Sequence, residues 1–285
     1  MSFLPPGASL GGYVVSRHVI TSGMSEVYEA RDARTGSRVA VKLMSPEFCS
    51  EPELVARFQN EGRMLQHVPH EHIVRVFTLG ELPRGPPYMV LEWVPWSLRE
   101  ELARAAALPA AAAMRLGQQL ASALTAMHER GFVHRDLKPS NVLLSPGADS
   151  GWRVKLADLG LAKALSSGAK PPVTLPISTG GSTSLGTCDY MAPEQWIASK
   201  TVGIPADVYA LGLLLFQMLT GQLPFMATRQ KDWMRLHLFE RPPVERLEGR
   251  APADLRALIS RMLAKEEAQR PSLHEVSRFN LSDPA

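Results

Sequence analysis

The chain opens with short β-branched runs and changes period after about residue 98. Residues 13–15, 27–30, 39–43, 73–79 and 88–91 are separated by turn residues, and runs of this length and composition predict strands. One helix interrupts them. Leu54, Phe58, Leu65 and Val68 recur at helical spacing, and Ser50-Glu51-Pro52-Glu53 before them reads as an S-x-x-E capping box. Farther on, Leu116, Leu120, Leu124 and Met127 share one face of a helix predicted over 109–129, which Gly131 stops. Helices are also predicted at 205–220, ending at Gly221, and at 253–263. Two apolar runs, 142–144 and 154–156, flank a turn-rich segment and predict a hairpin. Residues 166–184, rich in Ser, Thr, Gly and Pro, lack periodicity and read as a long loop of the kind compact domains keep for function.

This order predicts an α+β protein with a strand-rich lobe over 1–92, a connector at 93–97 and a larger helical lobe over 98–285. At 285 residues with 45% hydrophobic content the chain can bury a real core, which excludes disorder as its main state. Scattered basic residues and a net charge of +3 give no nucleic-acid groove and no membrane-surface face. The most apolar stretch, 208–219, is too short to cross a bilayer, and the first ten residues lack the pattern of a leader. Cys49 and Cys188 form no C-x-x-C pair, which fits a reducing compartment and makes the cytoplasm the expected location.

Strand alternation over Val39-Ala40-Val41-Lys42-Leu43 sets Ala40 and Lys42 on one face and the other three on the opposite one. On the following helix Glu61 falls inside the stripe 54, 58, 61, 65, 68, so a carboxylate sits within the apolar face and needs a partner. His134-Arg135-Asp136-Leu137-Lys138-Pro139-Ser140-Asn141 lies between a helix stop and a strand, where side chains can converge. Asp158-Leu159-Gly160 follows the second strand of the hairpin, near Asn141. Two oxygen ligands, a lysine and a second acid suit a Mg-bound polyphosphate, because Mg²⁺ prefers hard oxygen donors and shares its shell with phosphates.

The ordered set Lys42, Glu61, Asp136, Asn141 and Asp158 resembles the eukaryotic-like protein kinases, most closely their bacterial Ser/Thr branch. Met191-Ala192-Pro193-Glu194 matches A-P-E, Gly186-Thr187 precedes it, Asp207 opens a helix that anchors the catalytic loop, and Arg270 is the partner expected for Glu194. The resemblance covers about residues 10–279 and implies a bilobal kinase-like fold, ATP with Mg²⁺ or Mn²⁺ as cofactor, and protein substrates that include other copies of the chain. It implies that Lys42, held by Glu61, contacts the α- and β-phosphates, and that Asn141 and Asp158 hold the metal. Asp136 would orient the substrate hydroxyl and Lys138 would offset charge on the transferring group. Adenine would lie against Val27, Ala40 and Leu143, bonded to connector backbone near Glu92 and Val94 with Leu91 as gatekeeper. Leu65, Phe77, Leu159 and His134 would stack into an apolar spine.

The phosphate-covering loop departs from this pattern. Along Val19 to Val27 the G-x-G-x-x-G positions carry Ile20, Ser22 and Ser25, leaving only Gly23, and Ile20 is expected to remove the tight turn and weaken nucleotide affinity. That loss also supports a second reading, a pseudokinase scaffold. A small-molecule phosphotransferase is the third, which would ordinarily lack Ala192-Pro193-Glu194, Asp207 and Arg270. Arg135 beside Asp136 implies regulation by phosphorylation in the 161–185 segment, at Thr179, Ser182, Thr183 or Ser184. Thr187 is a poor acceptor, since the family uses that position to contact the catalytic acid. Glu100 and Glu101 follow the connector, where a basic peptide could be read, or form a solvated face.

Overall fold

In the computed structural model, which describes residues 4–83, 85–147, 151–158, 163–164, 188–197 and 202–281, the β-branched runs build one antiparallel sheet. Its strands are β1 (Ser9–Leu10), β2 (Tyr13–Ser22), β3 (Ser25–Asp32), β4 (Arg38–Met44), β5 (Val76–Glu81) and β6 (Pro87–Glu92), in the order β1-β2-β3-β4-β6-β5. The chain divides into two units, Met1–Pro95 and Trp96–Ala285, and this sheet belongs to the first.

Alternation along β4 sorts the core of that unit. Val39, Val41 and Leu43 pack with Tyr28, Val90 and Leu10 on one face, and Leu4 from the N-terminal segment joins them. Met44 packs on the other face with Met89 and with Phe58 of helix α1 (Pro52–His67). The predicted capping box does not form. Glu51 is the N-cap and makes no side-chain bond, because Pro52 occupies the first helical turn, where its missing N–H and fixed φ suit a helix start.

Phe77 also departs from expectation, for the residue is 44% exposed, with the Arg75 guanidinium over its ring at 5.4 Å. Pairing of β5 with β6 shifts between Val76 and Thr78, so Phe77 is the extra residue of a bulge and is exposed where burial was expected.

In the second unit β7 (Trp96–Ser97) pairs with β9 (Val142–Pro146), which forms the predicted hairpin with β10 (Trp152–Leu156). Helix α2 (Leu98–Ala105) begins at a real capping box, Ser97 with Glu100. Helix α3 (Ala110–His128) is followed by β8 (Phe132–Val133), which pairs with β11 (Lys163–Ala164). The remaining α-helices among the described residues are α4 (Pro193–Ile197), α5 (Pro205–Thr220), α6 (Gln230–Phe239), α7 (Ala253–Met262) and α8 (Leu273–Ser277). The apolar run 208–219 lies within α5, which is buried nearly all round, as a core helix with no polar face must be. It ends at Gly221, at φ 77°, where a Cβ would collide with Ala106 O. No helix among the described residues is long and apolar enough to cross a membrane.

Candidate active site

In the first unit the face of β4 that carries Ala40 brings Lys42 to α1, and Lys42 Nζ lies 2.7 Å from Glu61 Oε1. Glu61 is only 5% exposed, so the carboxylate within the apolar stripe is offset by an ammonium drawn from the neighbouring strand. Ala40 stands opposite Leu91 and Val27 opposite Lys42, which sets these side chains in one patch of the sheet. At the strand end Glu92 N–H donates to Arg75 O at 2.8 Å, and Val94 follows, half-buried.

Between β2 and β3 the chain turns on two residues, Gly23 and Met24, with Ser22 opposite Ser25. A tight turn therefore forms despite Ile20, because Gly23, at φ 53°, supplies the conformation that the missing glycines would have supplied. Ile20 pairs with Val27 and is half exposed, Val19 is 39% exposed, and Ser25 is buried with its hydroxyl donating to Ser22 O at 3.3 Å.

In the second unit the 134–141 segment folds around two anchors. Asp207, fully buried at the start of α5, accepts from His134 N–H at 2.9 Å and Arg135 N–H at 2.8 Å, while His128 Nε2 lies 2.8 Å from its Oδ2. Burial alone would raise the Asp207 carboxyl, but His128, His134 and the Arg135 amide together hold it below its ordinary value. Gln195 is the second anchor, donating from Nε2 to Arg135 O at 3.0 Å. Held on both sides, Arg135 keeps a φ of 65° that a bulky residue rarely adopts. Burial lowers its guanidinium pKa against the pull of Asp207. One terminal nitrogen donates to Val202 O, and Nε has no partner among the described residues.

That strained turn presents Asp136. Lys138 Nζ lies 2.8 Å from Asp136 Oδ2, and Asn141 Nδ2 donates to the Asp136 carbonyl at 2.8 Å and to Oδ2 at 3.2 Å. His134 accepts from Asp136 N–H through Nδ1 at 3.2 Å, which leaves Nε2 to donate to Ala157 O at 3.4 Å. Ala157 N–H donates to Asn141 O at 2.9 Å, so Asp158 follows that contact by one residue, at φ 61°. Leu143 lies on β9, half-buried, opposite Ser97 and Lys155.

The structure thus brings together Lys42 with Glu61 in one unit and Asp136, Lys138 and Asn141 in the other. It does not leave Glu100 and Glu101 free to read a peptide: Glu100 closes the cap of α2, and Glu101, buried, takes two bonds from Arg104. The sequence pattern does not single out His128 or Gln195. Their only sequence signal is proximity to known motif ends, His128 closing α3 and Gln195 following Glu194. Leu159, Gly160, Thr187 and the expected acceptors Thr179, Ser182, Thr183 and Ser184 lie outside the described residues.

The family described as the protein kinase domain matches residues 13–280. Among curated proteins, the serine/threonine-protein kinase PknA of Mycobacterium tuberculosis is 36% identical over 270 residues, covering 93% of this chain and 59% of that protein. The serine/threonine-protein kinase pkn2 of Myxococcus xanthus is 32% identical over 274 residues, covering 94% of this chain and 32% of that protein. The chain therefore spans only a part of the length of each.

Proposed function

Because the chain belongs to the protein kinase family, we propose that it is an ATP-dependent serine/threonine kinase that transfers the γ-phosphoryl group to protein hydroxyls. The observation that carries this reading is the convergence of Lys138 Nζ and Asn141 Nδ2 on the Asp136 carboxylate, at 2.8 and 3.2 Å. A carboxylate held so is aimed to accept the proton of a substrate hydroxyl, and the lysine beside it offsets charge that develops on the phosphoryl oxygens. Lys138, two residues after Asp136, favours serine and threonine over tyrosine. In the first unit Lys42 is oriented by Glu61 and takes the α- and β-phosphates. Val19, Ile20, Ser22, Gly23 and Ser25 cover the phosphates, and Val27, Ala40, Leu91, Leu143 and the backbone of Glu92 and Val94 take the adenine.

The donor set suits magnesium. Asn141 spends its Nδ2 on Asp136, which orients its carbonyl oxygen for a ligand role, and Asp158 adds a carboxylate, so both offer the hard oxygens that Mg²⁺ or Mn²⁺ prefers. Once bound, the ion would neutralise phosphate charge. The substrates proposed are proteins, other copies of the chain among them, in the cytoplasm, with the 161–185 segment as the regulatory site.

The test is transfer of labelled phosphate from ATP to protein in the presence of Mg²⁺ or Mn²⁺, with Asp136→Ala as control. Asp136→Ala is expected to lose about 10²–10⁴ in rate, the span of a positioned acid–base group, and Lys42→Met and Asp158→Ala at least as much. Wild-type protein no faster than Asp136→Ala with either metal would replace the kinase by a pseudokinase scaffold.

A further inference from the structure

Trp93 has no part in the reaction described above, yet it stands between Glu92 and Val94, the two residues whose backbone is assigned to adenine. Two guanidinium groups lie over its ring, the Cζ atoms of Arg17 and Arg38 each 6.0 Å from the ring centroid, at the outer reach of cation–π attraction. Strand pairing explains the meeting. Along the β4–β6 ladder Lys42 faces Met89 and Ala40 faces Leu91, and the same alternation carries the row on to Arg38 beside Trp93. Arg17 arrives from β2 opposite Glu29, and its Nε donates to the Glu29 carboxylate at 2.9 Å, which fixes the guanidinium from the side. Trp93 Nε1 is buried and has no hydrogen-bond partner among the described residues, so the N–H does not anchor the ring.

We propose that Arg17, Arg38 and Trp93 form a clasp that fixes the connector backbone to the sheet and thereby sets the affinity for ATP. Fixing the connector beforehand removes an ordering cost that binding would otherwise carry, so the clasp acts on affinity and not on the chemical step. All three are positioning residues, and their role rests on the ATP-dependent reading above.

The experiment measures ATP binding by calorimetry, and KM and kcat for phosphate transfer, in wild type, Arg38→Ala, Trp93→Ala and Trp93→Phe. Arg38→Ala is expected to raise Kd and KM for ATP about two- to fivefold, the worth of one exposed contact of this kind. Trp93→Ala, which removes both contacts, raises them further, and Trp93→Phe, which keeps a π-face, recovers most of the loss. In each variant kcat stays within about twofold of wild type, because no variant touches a group assigned to the chemical step. Unchanged Kd and KM in an active protein overturn the clasp alone. A fall in kcat and melting temperature without the shift in KM also overturns it, since that pattern belongs to simple structural support. Wild-type protein that neither binds nor turns over ATP overturns the clasp and the kinase reading together.

Discussion

Arg270 aims both terminal nitrogens of its guanidinium at the Glu194 carboxylate, 76 residues earlier in the chain, at 2.6 and 2.8 Å. The Arg270 side chain is 1% exposed and that of Glu194 13%, and the other donors of the fork reach the carbonyls of Ala264, Pro205 and Lys265. One side chain thus ties α4, the start of α5 and the segment after α7 together. Removal of one partner strands a buried charge, so Arg270→Ala is expected to lower unfolding free energy by about 3–5 kcal/mol in urea titrations. Arg270→Lys should rescue little, because an ammonium cannot reproduce the planar fork. A loss below about 1 kcal/mol for Arg270→Ala would mean the pair is not what holds these segments.

The turn of the β2–β3 hairpin rests on Gly23. A Cβ there meets nothing within 4 Å, so any cost of substitution comes from φ 53° and not from crowding. Gly23→Ala should then destabilise the turn by about 1–2 kcal/mol and weaken ATP binding, while Gly23→Asn, more tolerant of positive φ, should recover part of both. Calorimetry with ATP decides the matter: equal affinity in wild type and Gly23→Ala would remove the turn from nucleotide binding.

Local pattern made part of this arrangement legible. Alternation places Lys42 beside Ala40, and the stripe of α1 places Glu61 inside an apolar face, so the pattern alone carries the need for the partner that the 2.7 Å contact supplies. The cluster of Asp136, Lys138 and Asn141 was legible because it lies within six consecutive residues. What supports that cluster was not, since the His128–Asp207 contact spans 79 positions and the Gln195–Arg135 contact spans 60, and chain period carries no information about either. The bulge at Phe77 escaped for another reason: one extra residue in a ladder inverts the facing of a side chain without changing composition. Ser50 does not cap α1 because Pro52 sets the helix start one residue on.

His237 makes stability depend on acid. The residue is fully buried, with Trp233 stacked at 5.7 Å and Phe225 edge-on at 5.4 Å, while Tyr209 Oη lies 3.0 Å from Nδ1. The charge that acts on it is the Lys265 ammonium. Lys265 donates from Nζ to the His237 and Leu236 carbonyls at 2.7 and 3.2 Å, closing the end of α6, Arg270 lies over Tyr209, and the Glu240 carboxylate acts on Lys265 in the opposite sense. Burial first, then Lys265, pushes the imidazole down to about 3, against the opposing effect of the Asp189 backbone. The folded value thus lies below the unfolded one, near 6.5, and between them the unfolded chain binds a proton that the folded chain refuses. This stability is complete above about pH 6.5 and is lost as pH falls toward 3, by at most about 1.4 kcal/mol per unit. His237→Phe keeps a ring but cannot be protonated. It should be less stable than wild type at pH 7, and the gap should narrow through pH 6 and pH 5 in urea titrations. Parallel stability curves for the two proteins over that range would show that His237 titrates no differently when folded.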